Sequence, residues 1–284
     1  MRVKFIWSLL LVLLLNIPTQ AQTKDVAPQG PLINRAVSYG IGYANIFDTY
    51  LSPQEYKGID FRVLRESFRM TKWFDGNVSM QNLLQANISY THNRADNNNT
   101  LSGLLNWNIG LHYQFRLNPK FKILAGALLD TNLGFVYNLR NGNNPASAKL
   151  YANLAPSALA IWRTKIKNYP LILRYQVNVP LIGFMFSPHY GQSYYEIFSV
   201  GNDSGVVRFT SLHNQPALRQ FFTVDLPIRS TTMRLSYICD IQQSKVNQIK
   251  THSYTHNFMV GFVTEMFKVR PAQTKTISPQ LKAY

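Results

Sequence analysis

Leu105-Asn106-Trp107-Asn108-Ile109-Gly110-Leu111-His112-Tyr113-Gln114-Phe115-Arg116-Leu117 alternates without a break. Every odd position is large and apolar, and every even position is polar or glycine. A strict period of two marks a β-strand with one apolar and one polar face. Strands of soluble domains usually run about five or six residues, so this one is far too long for an ordinary hairpin. At about 3.3 Å per residue and a tilt near 45°, it spans the roughly 30 Å hydrocarbon core of a bilayer. The stretch predicts a transmembrane strand.

The same pattern recurs along the chain. A first strand carries Val37, Tyr39, Ile41 and Tyr43 on one face. A second, about 58–70, begins Ile59-Phe61-Val63 and then shifts phase to Leu64-Glu66-Phe68, which predicts a β-bulge. A third turns Val78, Met80, Leu84, Ala86, Ile88 and Tyr90 outward, with Asn82 and Leu83 out of pattern. The opening stretch is the fourth, and Phe121 to Tyr137 is the fifth. A sixth, about 150–163, is interrupted by Pro156, and a seventh carries Leu171, Leu173, Tyr175, Val177, Val179 and Leu181. Leu218 to Leu226, Met233 to Ile241 and Tyr254 to Phe262 complete ten.

Connections after the even strands are short, around 71–76, 118–120, 165–168 and 229–231, whereas those after the odd strands are longer and more polar. Outer-membrane barrels have this alternation of short periplasmic turns and longer external loops, with an even strand count. The expected fold is therefore all-β, an antiparallel transmembrane β-barrel of ten strands. Twelve is the alternative, if Tyr194 to Val200 pairs with Val206 to Leu212 as a further hairpin.

The chain's start gives a consistent address. Met1-Arg2-Val3-Lys4, an apolar run from Phe5 to Leu15 and the small residue Ala21 read as a secretory signal peptide over 1–21. Residues 22–34 read as a periplasmic lead-in, 35–267 as the barrel and 268–284 as a basic periplasmic tail with Lys268, Arg270, Lys275 and Lys282. No stretch reaches 18 consecutive apolar residues, so no spanning helix is expected. An exported membrane chain without helices satisfies its backbone in lipid only as a closed barrel, which places it in a bacterial outer membrane.

Composition points the same way. Charged residues are 15%, against about 25% in soluble domains, so the polar rows are mostly neutral. Net charge is +16, or +14 once Arg2 and Lys4 are removed. That excess suits anionic partners, such as lipopolysaccharide phosphates and other outer-membrane lipid or anionic solutes, and no nucleic-acid module accompanies it. The barrel-assembly machinery is the expected protein partner. Cys239 is the single cysteine, so no intrachain disulfide can form.

Arg116, Lys122, Arg163, Arg174, Arg219 and Arg234 fall on the inward rows, with Asp130, Asp225, Asp240 and Glu265. In a narrow barrel such residues form either an ion-paired plug or a constricted pore in which excess arginine favours anions. Function is therefore expected to be structural or narrow-pore, porin-like in the second case. A lipid-modifying enzyme is the alternative and needs a Ser–His pair meeting at the outer rim. None of the six histidines stands two residues before a serine, but His189 and His213 lie in or beside the long external segment with Ser187, Ser193 and Ser211. A second alternative, a soluble periplasmic barrel binding an apolar ligand, turns the apolar rows inward.

No metal or cofactor is expected. His252 and His256 have the spacing of a helical zinc pair, but four residues along a strand separates them by about 13 Å. Gly40-Ile41-Gly42 lacks the strand-to-helix context of a nucleotide site. Tyr39, Tyr90, Trp107, Tyr113, Tyr137, Trp162, Tyr169, Tyr175 and Tyr254 suit aromatic girdles at the lipid interfaces.

The signal peptide, the Tyr39-Gly40-Ile41-Gly42-Tyr43 strand, the Asn-rich loops and the stretch from Leu212-His213-Asn214-Gln215-Pro216-Ala217-Leu218-Arg219 to Asp225-Leu226-Pro227 resemble an uncharacterised family of outer-membrane barrels from Bacteroidetes-type bacteria. That resemblance implies a barrel and carries no assigned activity or catalytic position. The basic tail after the last strand departs from the usual barrel ending.

Overall fold

The computed structural model of the chain describes residues 32–167, 169–228 and 231–267, with the side chains of 32 and 265–267 outside that description. The segments 1–21 and 268–284, and the lead-in up to residue 31, also lie outside the described residues. Twelve strands follow in order: β1 (Leu32–Asp48), β2 (Ser52–Met70), β3 (Val78–Asn93), β4 (Asn99–Arg116), β5 (Phe121–Asn138), β6 (Ala146–Ile166), β7 (Tyr169–Asn178), β8 (Ile182–Phe186), β9 (Val207–Ser211), β10 (Ala217–Ile228), β11 (Thr231–Val246) and β12 (Ile249–Phe267). Antiparallel ladders join β1 through β7 in sequence, then β7 to β10, β10 to β11, β11 to β12 and β12 back to β1. The ring closes on ten strands, which leaves no free edge in it.

β8 and β9 do not widen the ring. Ser157 of β6 faces Asn178 at the end of β7, and Leu154 of β6 faces Ile182 at the start of β8. β8 therefore continues β7 along the same edge, and β9 pairs with β8 beyond the start of β10. The expected alternative hairpin does not form: Tyr194–Phe198 is a one-turn helix, α1, and Val207–Ser211 pairs with Ile182–Phe186 instead. Ser193 and Glu196 form a reciprocal capping box, which fixes those residues as helix.

Pro156 does not break the sixth strand. The Val179 amide donates to the Pro156 carbonyl at 3.0 Å, and the Leu181 amide to the Leu154 carbonyl at 2.9 Å. A strand residue's N–H and C=O point the same way, so the N–H that proline lacks falls at the β7–β8 break. The register slips by one residue there, from Ser157–Asn178 to Leu154–Ile182. A bulge and a proline occupy one irregularity.

The phase shift expected in β2 is a continuous strand. Tyr56 to Met70 pairs with β3 without a slip. Leu64, Glu66 and Phe68 stay on the inward face begun by Asp60 and Arg62, while Arg65, Ser67 and Arg69 continue the outward row. The lumen contains apolar layers, so an apolar residue there does not identify the lipid side. The register shift of the β1–β2 ladder lies at Phe47/Asp48, where β1 turns into β2.

Outward rows are apolar and exposed, as Ile41 (54%), Phe61 (59%) and Phe258 (72%) show, whereas inward Asn108 is 1% exposed. This orientation is opposite to that of a soluble barrel with a greasy interior. Connections at one end are short: 71–77, with a 3-10 turn at Trp73–Gly76, then 117–120, 167–168 and 229–230. At the other end the strands run on past the belt, and the 187–206 excursion crosses the mouth. Asn247 and Gln248, both at positive φ, make the two-residue turn that joins β11 to β12. β1 begins at Leu32, so residues 32–34 of the expected lead-in are strand.

Gly42 lies on the β1–β12 seam, where any Cβ would overlap the His256 carbonyl oxygen. Glycine is required by that close approach. In the middle of the outward belt, Ile41 sits between Phe61 and Phe258. Ile41→Arg should destabilise the barrel by about 2–4 kcal/mol in lipid, measured as a lower urea midpoint on refolding into vesicles; an unchanged midpoint would contradict the lipid-facing assignment.

Candidate functional site

The inward face of β2 reads, from the long-loop end, Asp60, Arg62, Leu64, Glu66, Phe68, Met70. Each of these meets partners of its own kind from the other strands, and the lumen is layered as a result. Ala44, Ile46, Leu51 and Val136 form an apolar layer at the outer end. Below it lies a charged layer around Arg62 and Arg219, and then an apolar layer of Leu64, Leu83, Phe221, Ile238 and Met259. A second charged layer surrounds Glu66, and Phe68, Met70, Leu124, Leu159 and Ile161 fill the short-turn end.

In the outer charged layer, Arg219 bonds Asp130 at 3.0 Å, Asp240 at 3.1 Å and the Asn106 amide oxygen at 2.9 Å. Arg62 stands 3.6 Å from both Asp60 and Asp240 and donates to Gln85 at 3.0 Å and Thr255 at 2.6 Å. Asp60 accepts from Asn87, Ser89 and Asn257 at 2.5–2.8 Å. In the inner layer, Arg174 grips Glu66 with two bonds of 2.8 and 2.7 Å. Arg234 bridges that same carboxylate to Asp225, which it holds at 2.6 and 2.7 Å. Gln81 donates to Glu66 at 2.8 Å. Every one of these ions is paired, as burial at such depth requires.

Of the expected lumen residues, the structure brings together Asp130, Arg174, Arg219, Asp225, Arg234 and Asp240, all buried. Arg116 and Arg163 are exposed at the short-turn mouth, and Lys122 is half-buried there, donating to Gln114 at 3.2 Å. The side chain of Glu265 lies outside the described residues. Asp60, Arg62 and Glu66 are buried lumen residues beyond the expected set: the phase shift expected after Val63 turns Glu66 outward, whereas Asp60 and Arg62 lie before it, on the face opposite the outward Ile59, Phe61 and Val63. Their signal was present as an uninterrupted even-numbered row from Asp60 to Glu66.

Two cavities among the described lumen residues are small, about 60 Å³ beside Arg62, Tyr151 and Asp240 and about 20 Å³ between Glu66, Arg174 and Arg234. Those volumes hold a few waters and about one water. Above them, the 187–206 excursion is tied across the mouth: the Tyr50 hydroxyl donates to the Gln192 carbonyl at 2.9 Å, and Tyr194 accepts from the Ala148 amide at 2.6 Å. Burial, then Tyr194, Asp48 and Glu196, pushes the Tyr50 hydroxyl up to about 12, which keeps it a donor at neutral pH.

Two histidine features bear on chemistry. The Ser211 hydroxyl lies 2.5 Å from His213 Nδ1, and both stand where β9 turns into β10, with Ser211 opposite Ile182 at the start of β8. His112 Nε2 meets Ser157 at 2.8 Å, but both are buried mid-lumen. His252 stacks on Tyr254 at 4.3 Å and His256 bonds Tyr237 at 2.7 Å. Among the described residues no three His, Cys, Asp or Glu side chains are grouped as a metal site.

Replacing Glu66 by Gln leaves Arg174 and Arg234 facing a neutral group. Breaking a buried pair this way costs about 3–5 kcal/mol, so E66Q should lower the thermal midpoint strongly, and a midpoint near wild type would show that the inner layer is hydrated.

Solved structures with a similar fold include the transport unit of the autotransporter AIDA-I from Escherichia coli, at 7% identity and a TM-score of 0.50 over 93% of this chain and 97% of that one. The outer membrane protease OmpT from Escherichia coli is 6% identical with a TM-score of 0.47, covering 86% of this chain and all of that one. Neisserial surface protein A is 12% identical with a TM-score of 0.32, covering 82% and 98%. No curated protein matches the sequence. At these identities the likeness is one of fold, an outer-membrane-type β-barrel. The family described as "Protein of unknown function (DUF3316)" matches residues 7–273, and the chain belongs to that family.

Proposed function

We propose that the protein is an integral outer-membrane β-barrel with a closed lumen and a structural, non-conducting role. The layered interior carries this reading. Two ion-paired layers lie between three apolar ones, and an ion crossing them would have to break buried guanidinium–carboxylate bonds. The anion-favouring pore expected from arginine excess finds less support. The buried lumen pairs Arg62, Arg174, Arg219 and Arg234 against Asp60, Glu66, Asp130, Asp225 and Asp240, so carboxylates are not outnumbered. The surplus cations, Arg116, Lys122 and Arg163, stand at the mouth.

Membrane residence is supported by the outward apolar belt and the closed ring, which together satisfy the backbone in lipid. Carbonate washing should leave the protein in the membrane pellet, and the purified barrel in planar bilayers should give no steady single-channel conductance. A stable anion-selective current would replace this reading with the pore.

The Ser211–His213 contact favours one other reading, an acyl hydrolase acting at the outer rim. Ser211 is a nucleophile within reach of a base, next to exposed Leu181, Ile182 and Leu212. His213 Nε2 has no orienting partner among the described residues, so the pair lacks the third member that a competent triad uses. Hydrolysis of a fluorogenic phospholipid that vanishes in Ser211→Ala would establish the enzyme; absence of turnover in wild-type protein would dismiss it.

A further inference from the structure

Three arginines stand together on the outside of the barrel, on a face whose outward rows are otherwise largely apolar. β2 keeps its register, so Arg65 and Arg69 point outward with Ser67 between them. Ser67 pairs with Arg35 of β1, and Arg65 with Val37. Arg35 therefore lies diagonally between the other two, within reach of long side chains on the same sheet face. Asn82 of β3 lies opposite Ser67 and extends the polar patch. Elsewhere the outward rows stay apolar nearly to the short turns: Phe115 and Leu117, Trp162 and Ile166, Leu226 and Ile228.

None of the three has an acidic partner among the described residues. Arg69 donates to the Met80 sulfur at 2.9 Å. Arg35 and Arg65 make no side-chain hydrogen bond or ion pair there, and the carboxylate of the row, Glu66, points into the lumen. Like charges in neighbouring positions of one face repel, and an arginine at the bilayer midplane costs about 2–4 kcal/mol. The patch lies toward the short-turn end of the belt, since Met70 closes β2 one residue beyond Arg69. Long arginine stems there reach the headgroup layer while their carbons stay in the belt.

We infer that Arg35, Arg65 and Arg69 form a site for the headgroup phosphate of a phospholipid in the periplasmic leaflet, with Ser67 and Asn82 beside it. Planar guanidinium forks match phosphate oxygens in bidentate fashion, and one phosphodiester between three of them removes the repulsion. The lipid's acyl chains lie along Val37, Val63 and Leu84, the apolar outward residues just above. This site rests on the proposed membrane setting, whose own test is the carbonate wash.

Native mass spectrometry of the full barrel in detergent, supplied with phosphatidylglycerol or with phosphate-free diacylglycerol, reads the site directly. Wild-type protein should retain phosphatidylglycerol and not diacylglycerol. The triple variant R35Q/R65Q/R69Q should lose that retention by about tenfold or more. Removing like charges from an exposed face leaves the ladders untouched, and heat-modifiable gel migration verifies that the variant is folded. Arg65→Lys, which keeps the charge and loses the fork, should fall between the two. Equal retention by wild type and folded triple variant would overturn the inference, as would retention of both lipids alike. Complete displacement by inorganic phosphate would overturn the lipid assignment in favour of a soluble anion. A barrel that fractionates with membranes yet fails these arms sinks the site alone.

Discussion

A β-strand in hydrocarbon must give every N–H and C=O a partner within the protein, and the closure of β12 on β1 meets that requirement. Seventeen residue pairs, from Leu32–Phe267 to Asp48–Thr251, run along that seam without a slip. Once the ring is closed, the pleat divides each strand into a row for lipid and a row for the axis. The irregularities sit where closure tolerates them. The shift at Phe47/Asp48 lies at the long-loop end, the bulge opposite Pro156 falls at the end of β7 where β8 takes over its edge, and Gly42 opens space where two strands come too close for a side chain.

The inward rows then face a space too narrow to stay empty. A ten-strand ring has little more room than its side chains fill. This one is filled in alternating charged and apolar layers. Buried ions in such a place are weak evidence of stability, because desolvation offsets much of their attraction. Their geometry instead fixes which strands lie opposite each other: Glu66 of β2 is held by Arg174 of β7 and Arg234 of β11, across the barrel. Arg219 of β10 reaches Asp130 of β5 in the same way. These cross-lumen contacts join strands that share no ladder.

Strand count, the positions of the short turns and the outward rows, apart from β2 beyond Val63, were legible in the sequence, because each depends only on period two and on turn residues. Tyr90, Trp107, Tyr113 and Tyr137 face outward and exposed, as alternation alone requires. The site was legible where alternation read as unbroken, even with apolar members in the inward row, as with Leu128 beside Asp130 in β5, Phe221 between Arg219 and Asp225 in β10, and Ile238 between Arg234 and Asp240 in β11. In β2 the inward row mixes Asp60 and Glu66 with Leu64 and Phe68, and a rule that equates apolar with lipid misreads it. The same mistake concealed the outward arginines Arg65 and Arg69. The 187–206 excursion was not legible either: α1 depends on a four-residue cap, and β9 depends on pairing with β8, a contact set by the bulge opposite Pro156.

The central claim is that the odd-numbered residues of β4 meet acyl chains and the even-numbered ones meet the axis. Nitroxide labels placed singly from residue 104 to 115, in protein reconstituted into vesicles, measure this by collision with oxygen and with a water-soluble nickel complex. Oxygen accessibility should peak at 105, 107, 109, 111, 113 and 115 and nickel accessibility should stay low at all the even, lumen-facing sites. Oxygen peaks at the even sites, or no alternation at all, would contradict the orientation on which the barrel, its closed lumen and its lipid site depend.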